Sequence, residues 1–304
     1  PGADMNLVER QAILRRWVMP SSDYEKDKQD RALRMVKSAI DAWPAFNGVA
    51  YHIYAKGSYA NNTNVRLDSD VDIAVQNREC LYYEYNGCEQ PSSEGTPTYD
   101  GDWTPPLWRA EILAALDAKF PGEVSGSGVV AITIDEHDGT RPDIDVVPSF
   151  DYVRYDSSDQ TRQHRGSKVF PKTGSPIVNY PQQQLDRGTA KNGRTNGRYK
   201  RFARALKSAE NQLVADGTIS DLPSYFMECL IWNVQDEILT GGSDLSAGFK
   251  SVLVWLWNGL KEENYVRTDW EEPNGLKYLF HPGAKWTPGD ARELVLATWQ
   301  YLDY

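Results

Sequence analysis

The sequence predicts an α/β first half followed by a mainly helical second half. Three observations carry this reading. Short runs rich in β-branched and aromatic residues alternate with amphipathic helical patterns up to about residue 155. A polar, irregular stretch, Tyr155–Lys172, follows. From Thr195 onward apolar residues recur at helical spacing.

Asp23–Trp43 reads as a long amphipathic helix, with Leu33, Val36, Ile40 and Trp43 on one side and Lys, Arg and Asp between them. Tyr51–Tyr54 and Val71–Val75 read as strands around a polar Gly-Ser segment, Lys56–Ser69. Tyr85–Pro106 reads as a surface loop. Trp108–Phe120 reads as a helix through Ile112, Leu113 and Leu116, ended by Pro121-Gly122. Val129–Ile134 and Ile144–Val147 make a second pair of strands, the latter closed by Pro148. In the second half the helices are Gly197–Leu213, Ser224–Leu239, Gly248–Leu260 and Pro288–Leu302, the last opened by Thr287 and a first-turn proline. No internal repeat is visible. Two domains are expected, 1–155 with its N-terminal helix and 156–304, with a ligand pocket in the cleft between them.

Composition narrows the function. The 304 residues are 40% hydrophobic and 25% charged, an ordinary globular balance that excludes disorder, collagen-like repeats and a disulfide scaffold. With 33 basic and 43 acidic residues the formal net charge is −10, which speaks against steady binding to long nucleic acid. Cys80, Cys88 and Cys229 are three with no C-x-x-C pair, so neither zinc nor a disulfide framework is suggested and a reducing compartment fits. The longest apolar stretches, Val129–Ile134 and Val252–Trp257, fall far short of the ~18 residues that span a bilayer. No signal layout opens the chain, and Pro1-Gly2-Ala3-Asp4 reads as a cloning scar. A soluble, cytoplasmic protein without a membrane partner is expected.

The most informative stretch is Arg66-Leu67-Asp68-Ser69-Asp70-Val71-Asp72-Ile73-Ala74-Val75. Strand alternation puts Asp68, Asp70 and Asp72 on one face and Val71, Ile73 and Val75 on the other. Aspartate is a poor strand former and like neighbours repel, so a divalent metal is one reason for the pattern, a solvated edge strand another. A second pair, Asp143 and Asp145, stands two apart in Arg141-Pro142-Asp143-Ile144-Asp145-Val146-Val147-Pro148. If the two strands are neighbours, one of that pair completes a three-carboxylate site. Such a site holds two metals ~4 Å apart, which activate an attacking oxygen and stabilise a leaving one. Upstream, Gly57-Ser58 offers close backbone approach and a hydroxyl to a phosphate. Eleven residues, 59 to 69, then separate it from Asp-x-Asp.

That arrangement resembles the signature of the polymerase-β-like nucleotidyltransferases: Gly-Ser, about ten residues, Asp-x-Asp, then a third carboxylate before Val-Pro, here Asp145-Val146-Val147-Pro148. The string Gly57-Ser58-Tyr59-Ala60-Asn61-Asn62-Thr63-Asn64, with Arg66 and Ser69-Asp70-Val71-Asp72, looks like the bacterial CD-NTases. These are relatives of cyclic GMP–AMP synthase and oligoadenylate synthase that make cyclic nucleotide signals in anti-phage defence. Asn179-Tyr180-Pro181, Asp186-Arg187-Gly188, Ala190-Lys191-Asn192, Thr195-Asn196, Tyr199-Lys200 and Leu222–Leu230 resemble the CdnE-like branch. The resemblance runs from about Asp23 to the C-terminus.

It implies an α/β (α+β) polymerase-β-like nucleotidyltransferase core with a C-terminal helical domain. Asp70, Asp72 and Asp145 match the catalytic and metal-binding triad for two Mg²⁺ ions, with Mn²⁺ able to substitute. Gly57 and Ser58 match the loop that holds the donor triphosphate. Lys200 matches a triphosphate-contacting lysine, and Ser224 and Tyr225 match a phosphate-touching serine and a base-stacking tyrosine. Plain packing at a helix start would equally account for Tyr225, and a solvated helix face for Arg204 and Lys207. Asn179 falls where the branch faces the nucleobase. Its amide complements the O4 and N3–H edge of uracil, though an asparagine before proline also turns loops. Lys56 stands where relatives often carry glutamine, free either to touch phosphate or to point to solvent, and the parts of Asp68 and Asp143 stay open. The implied reaction joins nucleoside triphosphates (ATP, UTP or GTP) into a cyclic dinucleotide, uridine-containing if Asn179 acts as read. A downstream effector protein is implied as partner, with the enzyme a monomer. Rival readings are a linear-oligonucleotide, tRNA- or protein-modifying transferase and a catalytically dead binding module, the last opposed by the intact triad.

Overall fold

The computed structural model describes residues 5–65, 70–91, 99–137, 139–260 and 269–304. Arg66, Asp68 and Ser69, and the opening Pro1–Asp4, lie outside the described residues. Two compact units emerge. One comprises Ser22–Tyr59 and Leu67–Gln182, the other Pro1–Ser21, Ala60–Arg66 and Gln183–Tyr304. The division thus differs from the boundary read at residue 155. The chain beyond 155 still pairs into the sheet, and the N-terminal segment packs with the helices.

The first unit is built on a sheet of seven strands: β1 (Tyr51–Ala55), β2 (Val71–Tyr85), β3 (Val124–Ser125), β4 (Ile132–Ile134), β5 (Ile144–Tyr155), β6 (Gln163–Val169) and β7 (Ile177–Asn179). The order is β1-β2-β5-β4-β3, with β6 also on β5 and β7 on β6. β2 and β5 run parallel and every other pair is antiparallel. Helices α2 (Asp23–Asp41) and α4 (Pro105–Lys119) cover one face. Their Val36, Ile40, Trp108, Ile112 and Leu116 join Val71, Ile73, Val75, Ile144, Val146 and Phe150 in one buried core. Ser22 and Thr104 cap these helices, accepting from Glu25 N–H and Leu107 N–H.

Several strands depart from their sequence expectations. β2 continues ten residues past Val75, taking the start of the expected loop. A bulge between Asn77 and Leu81 interrupts its pairing, and the buried Asn77 side chain accepts from Glu79 N–H and Cys80 N–H, both at 2.9 Å. β5 runs straight through Pro148 to Tyr155. Val71 N–H donates to Asp143 O, so odd-numbered residues here bond to β2 and Pro148 turns its missing N–H the other way. On that side β4 has already ended at Val146 and β6 starts at Phe150, so no ladder bond is lost. The expected strand Val129–Ile134 shrinks to β4. The expected irregular stretch Tyr155–Lys172 contains β6, whose polar sequence pairs with β5 from Phe150 to Tyr155.

The second unit is helical: α1 (Leu7–Trp17), α5 (Pro181–Arg194), α6 (Arg198–Ala215), α7 (Ser224–Asn233), α8 (Asp236–Thr240), α9 (Leu245–Leu260) and α10 (Pro288–Tyr301). Its core gathers Leu14, Phe202, Leu206, Phe226, Leu230, Phe249, Leu253 and Leu294. The helix expected over Ser224–Leu239 is two, because Val234 is extended at φ −66°, ψ 133°. The buried Lys191 ammonium holds the break, donating to Val234 O at 2.7 Å and pairing with Asp236 at 3.1 Å. Asn196 and Gly197, at φ 51° and 79°, turn α5 into α6. Asn192 Oδ1 and Thr195 Oγ1 each accept at 3.1 Å, from Lys200 N–H and Tyr199 N–H, so these motif residues cap α6. Among the described residues no helix is long and apolar enough to cross a membrane.

Candidate active site

In the sheet unit β1 ends at Ala55, and a short helix, α3 (Gly57–Ala60), carries Gly57 and Ser58. Lys56 N–H donates to Asp72 O at 2.9 Å, which draws this turn onto the start of β2. Gly57 has φ +67°, and a Cβ there would collide with the Asp72 Oδ2. Both facts demand glycine: the left-handed backbone and the close approach to a carboxylate. Tyr59 OH donates to Asp30 of α2, fixing the far end of the turn.

Asp72 is in register with Asp145 across the parallel β2–β5 pair. Neighbouring strands lie about 4.8 Å apart, so the two carboxylates leave the same face side by side. Asp70, two residues earlier on that face, is exposed. The opposite face, through Val71, Ile73, Ile144 and Val146, is sealed in the core, which fixes the register. Burial raises the Asp145 carboxyl above its ordinary range, with the charges of Asp72 and then Asp70 adding to the rise and Lys56 opposing it. Asp143 takes another part: its Oδ1 accepts from Glu136 N–H at 2.6 Å, closing the turn before β5.

Two findings were not legible in sequence. Lys56 turns toward the acids, its Nζ 3.9 Å from Asp72 Oδ1, rather than to solvent. A polar network lies on the same sheet face beyond the acids: Tyr54 OH donates to Gln76 Oε1 at 2.7 Å, and Gln76 Nε2 donates to Asp151 Oδ1 at 2.6 Å. No sequence signal pointed to it, because both strands were expected to have ended. Ser167 is in register with Asp151, and Asn179 with Ser167, so Asn179 shares the face of the triad. It stands level with Asp151, six residues along β5 from Asp145, about 20 Å of strand. Asp72 and Asp145 are brought side by side, with Asp70 close enough for its charge to act on Asp145; Asn179 is placed on their face but further along it.

The helical unit holds the other candidates. Lys200 lies in the first turn of α6, half-buried, its pKa lowered by burial against the pull of Glu228, with the charge of Arg204 lowering it further. Its ammonium makes no ion pair among the described residues. Ser224 opens α7 and is exposed. Tyr225 OH donates to Glu272 at 3.3 Å, its ring edge faces Trp286 at 6.2 Å, and burial holds its hydroxyl well above the ordinary range. Arg204 and Lys207 do not form a solvated face. Lys207 is 2% exposed, its Nζ 2.5 Å from Glu228 Oε1 and 3.1 Å from Thr63 Oγ1, while Thr63 also donates to Glu228.

A model of the cGAS/DncV-like nucleotidyltransferase C-terminal helical domain matches residues 186–303. The chain is 32% identical to the cyclic dipyrimidine nucleotide synthase CdnE of Cecembia lonarensis, over 95% of this chain and 96% of that one. This chain belongs to the cGAS/DncV-like nucleotidyltransferases, the CD-NTases, in their CdnE branch. A second cyclic dipyrimidine nucleotide synthase CdnE, from Legionella pneumophila, is 31% identical over 97% of this CD-NTase and 98% of that protein. The solved Rhodothermus marinus CdnE c-UMP-AMP synthase with Apcpp and Upnpp matches with a TM-score of 0.81 at 27% identity, covering 96% and 95% of the two chains.

The donor chemistry suits a hard divalent cation. Asp70, Asp72 and Asp145 offer only carboxylate oxygens, and their mutual repulsion is what such an ion relieves. Among the described residues no three His, Cys, Asp or Glu side chains converge into a preformed metal-holding group. Mg²⁺ does not need one, since it keeps waters and is held by one or two carboxylates plus substrate phosphates.

Proposed function

We propose that this CD-NTase condenses two nucleoside triphosphates, at least one of them UTP, into a cyclic dinucleotide that signals to an effector protein in anti-phage defence. The observation that carries the reading is the in-register pair Asp72 and Asp145 facing a glycine turn that only Gly57 can make. The names of the Cecembia, Legionella and Rhodothermus relatives, all pyrimidine-using synthases, support the base assignment.

In this reading Asp70, Asp72 and Asp145 would hold Mg²⁺ or Mn²⁺, which when bound would supply charge stabilisation to the triphosphate and lower the cost of ionising the acceptor hydroxyl. Gly57 and Ser58 present backbone N–H groups and a hydroxyl to the donor triphosphate. Asp145 accepts the proton of the attacking ribose hydroxyl. That oxygen forms its bond to the α-phosphorus as the bond to the β-phosphate bridging oxygen breaks, and pyrophosphate leaves. A second transfer on the linear intermediate closes the ring. Lys200 and Ser224 bind phosphate and Tyr225 stacks on the donor base. Asn179 donates its amide N–H to uracil O4 and accepts from N3–H. Positioning and fixed charge supply most of the rate. The enzyme acts as a monomer in the cytoplasm.

The test is thin-layer chromatography of reactions in which each α-labelled triphosphate is supplied in turn. Labelled UMP in a phosphatase-resistant product is expected. Product without UMP contradicts the base assignment, and a labelled product whose migration phosphatase shifts by stripping its 5′ phosphates contradicts ring closure.

A further inference from the structure

Along α6, Arg198, Arg201 and Arg204 stand three residues apart and so share one side of the helix. With Arg15 of α1 they line a cavity of about 610 Å³, whose apolar wall includes Met19 and Leu245. Among the described residues no carboxylate lines it. Every lining residue belongs to the helical unit, and none is among those proposed above to bind nucleotide.

Arg204 shows that the cavity is built rather than accidental. It is 6% exposed, so a charged side chain has been placed inside the protein. Its Nε donates to Val18 O at 2.8 Å and one Nη to Asn62 O at 2.7 Å. Two carbonyls aim the guanidinium without neutralising it. Burial first, then the like charge of Arg201, brings its pKa down to about 10, so it stays protonated at neutral pH. Burying a charge without a partner is costly, and a ligand of opposite charge removes that cost.

The ligand chemistry follows from shape and charge. Guanidinium forks match phosphate oxygens two at a time, and four around one hollow suit several phosphates together. A volume of about 610 Å³ is that of a small-molecule site, larger than one phosphate needs. In a chain of net charge −10 a confined basic hollow favours a small anion over long nucleic acid.

We propose that this cavity is a second anion site, separate from the nucleotide residues assigned above, that binds the polyphosphate group of a small ligand through Arg15, Arg198, Arg201 and Arg204. Calorimetric titration of the full chain in metal-free buffer tests it, with tripolyphosphate and ATP as separate titrants. The variants are Arg15→Gln/Arg201→Gln, both at exposed positions, Arg15→Gln alone, and Lys200→Gln as a control at the proposed nucleotide site.

Tripolyphosphate binds the wild type and Lys200→Gln alike, binds the double variant at least about tenfold more weakly, and raises the Tm of the wild type but not of the double variant. ATP binding that is tighter than tripolyphosphate binding and lost in the double variant assigns a nucleotide as the ligand; equal affinities assign free polyphosphate. No tripolyphosphate binding, unchanged affinity in the double variant, loss of binding in Lys200→Gln, or binding of an RNA duplex alone overturns the proposal.

Discussion

At Gly57 two constraints meet, a φ of +67° and the Asp72 carboxylate where a Cβ would go. Gly57→Ala therefore costs about 1–2 kcal/mol of stability for the left-handed backbone, read by urea denaturation. It also displaces the Asp72 carboxylate from its place beside Gly57, so product formation falls at least about tenfold, more than the stability loss explains. The aspartates behave in the opposite way. Their like charges crowd one face, so Asp70→Asn/Asp72→Asn abolishes product while leaving Tm unchanged or higher. A lower Tm with activity retained would remove these residues from the chemistry. Lys56 already stands 3.9 Å from Asp72 as a resident cation. Lys56→Gln removes that competitor, so the Mg²⁺ concentration for half-maximal turnover falls; an unchanged value means Lys56 does not oppose the metal.

The elements show where sequence pattern suffices and where it stops. α2, α4, α6, α9 and α10 were legible because each buries one apolar stripe whose period a sequence displays. The start of β2 was legible for the same reason, its aspartates alternating with core valine and isoleucine. Its continuation past the bulge at Asn77 was not, nor was β6, Gln163–Val169, because pairing to β5 rather than their own composition makes them strands. A solvated helix face would have accounted for Arg204 and Lys207, yet both are buried, as is Lys191, and only tertiary partners could reveal it. Lys207 and Glu228 form the sharpest case, at 2% and 3% side-chain exposure. Glu228→Ala leaves a buried ammonium unpaired and costs about 3–5 kcal/mol in chemical denaturation. The double change Lys207→Met/Glu228→Leu costs less than Glu228→Ala alone. A double variant less stable than the single one would mean the pair stabilises beyond mutual neutralisation.

For the whole molecule, the net charge of −10 conceals a division of labour. Asp70, Asp72 and Asp145 concentrate negative charge on one sheet face, while α6 carries Arg198, Lys200, Arg201, Arg204 and Lys207 within ten residues. The Gly-Ser turn and the two Asp-x-Asp pairs were readable from spacing, while the choice of Asp145 over Asp143 came from the resemblance to the nucleotidyltransferase signature. The arginine cavity was not readable, since it needs α1 from the opposite end of the chain beside α6. The central claim concerns the product. Mass spectrometry of a reaction containing the protein, all four nucleoside triphosphates and Mg²⁺ measures it directly. A cyclic dinucleotide containing uridine, absent from the Asp70→Asn/Asp72→Asn control, is the result predicted; a linear product, a cyclic product without uridine, or no product would contradict it.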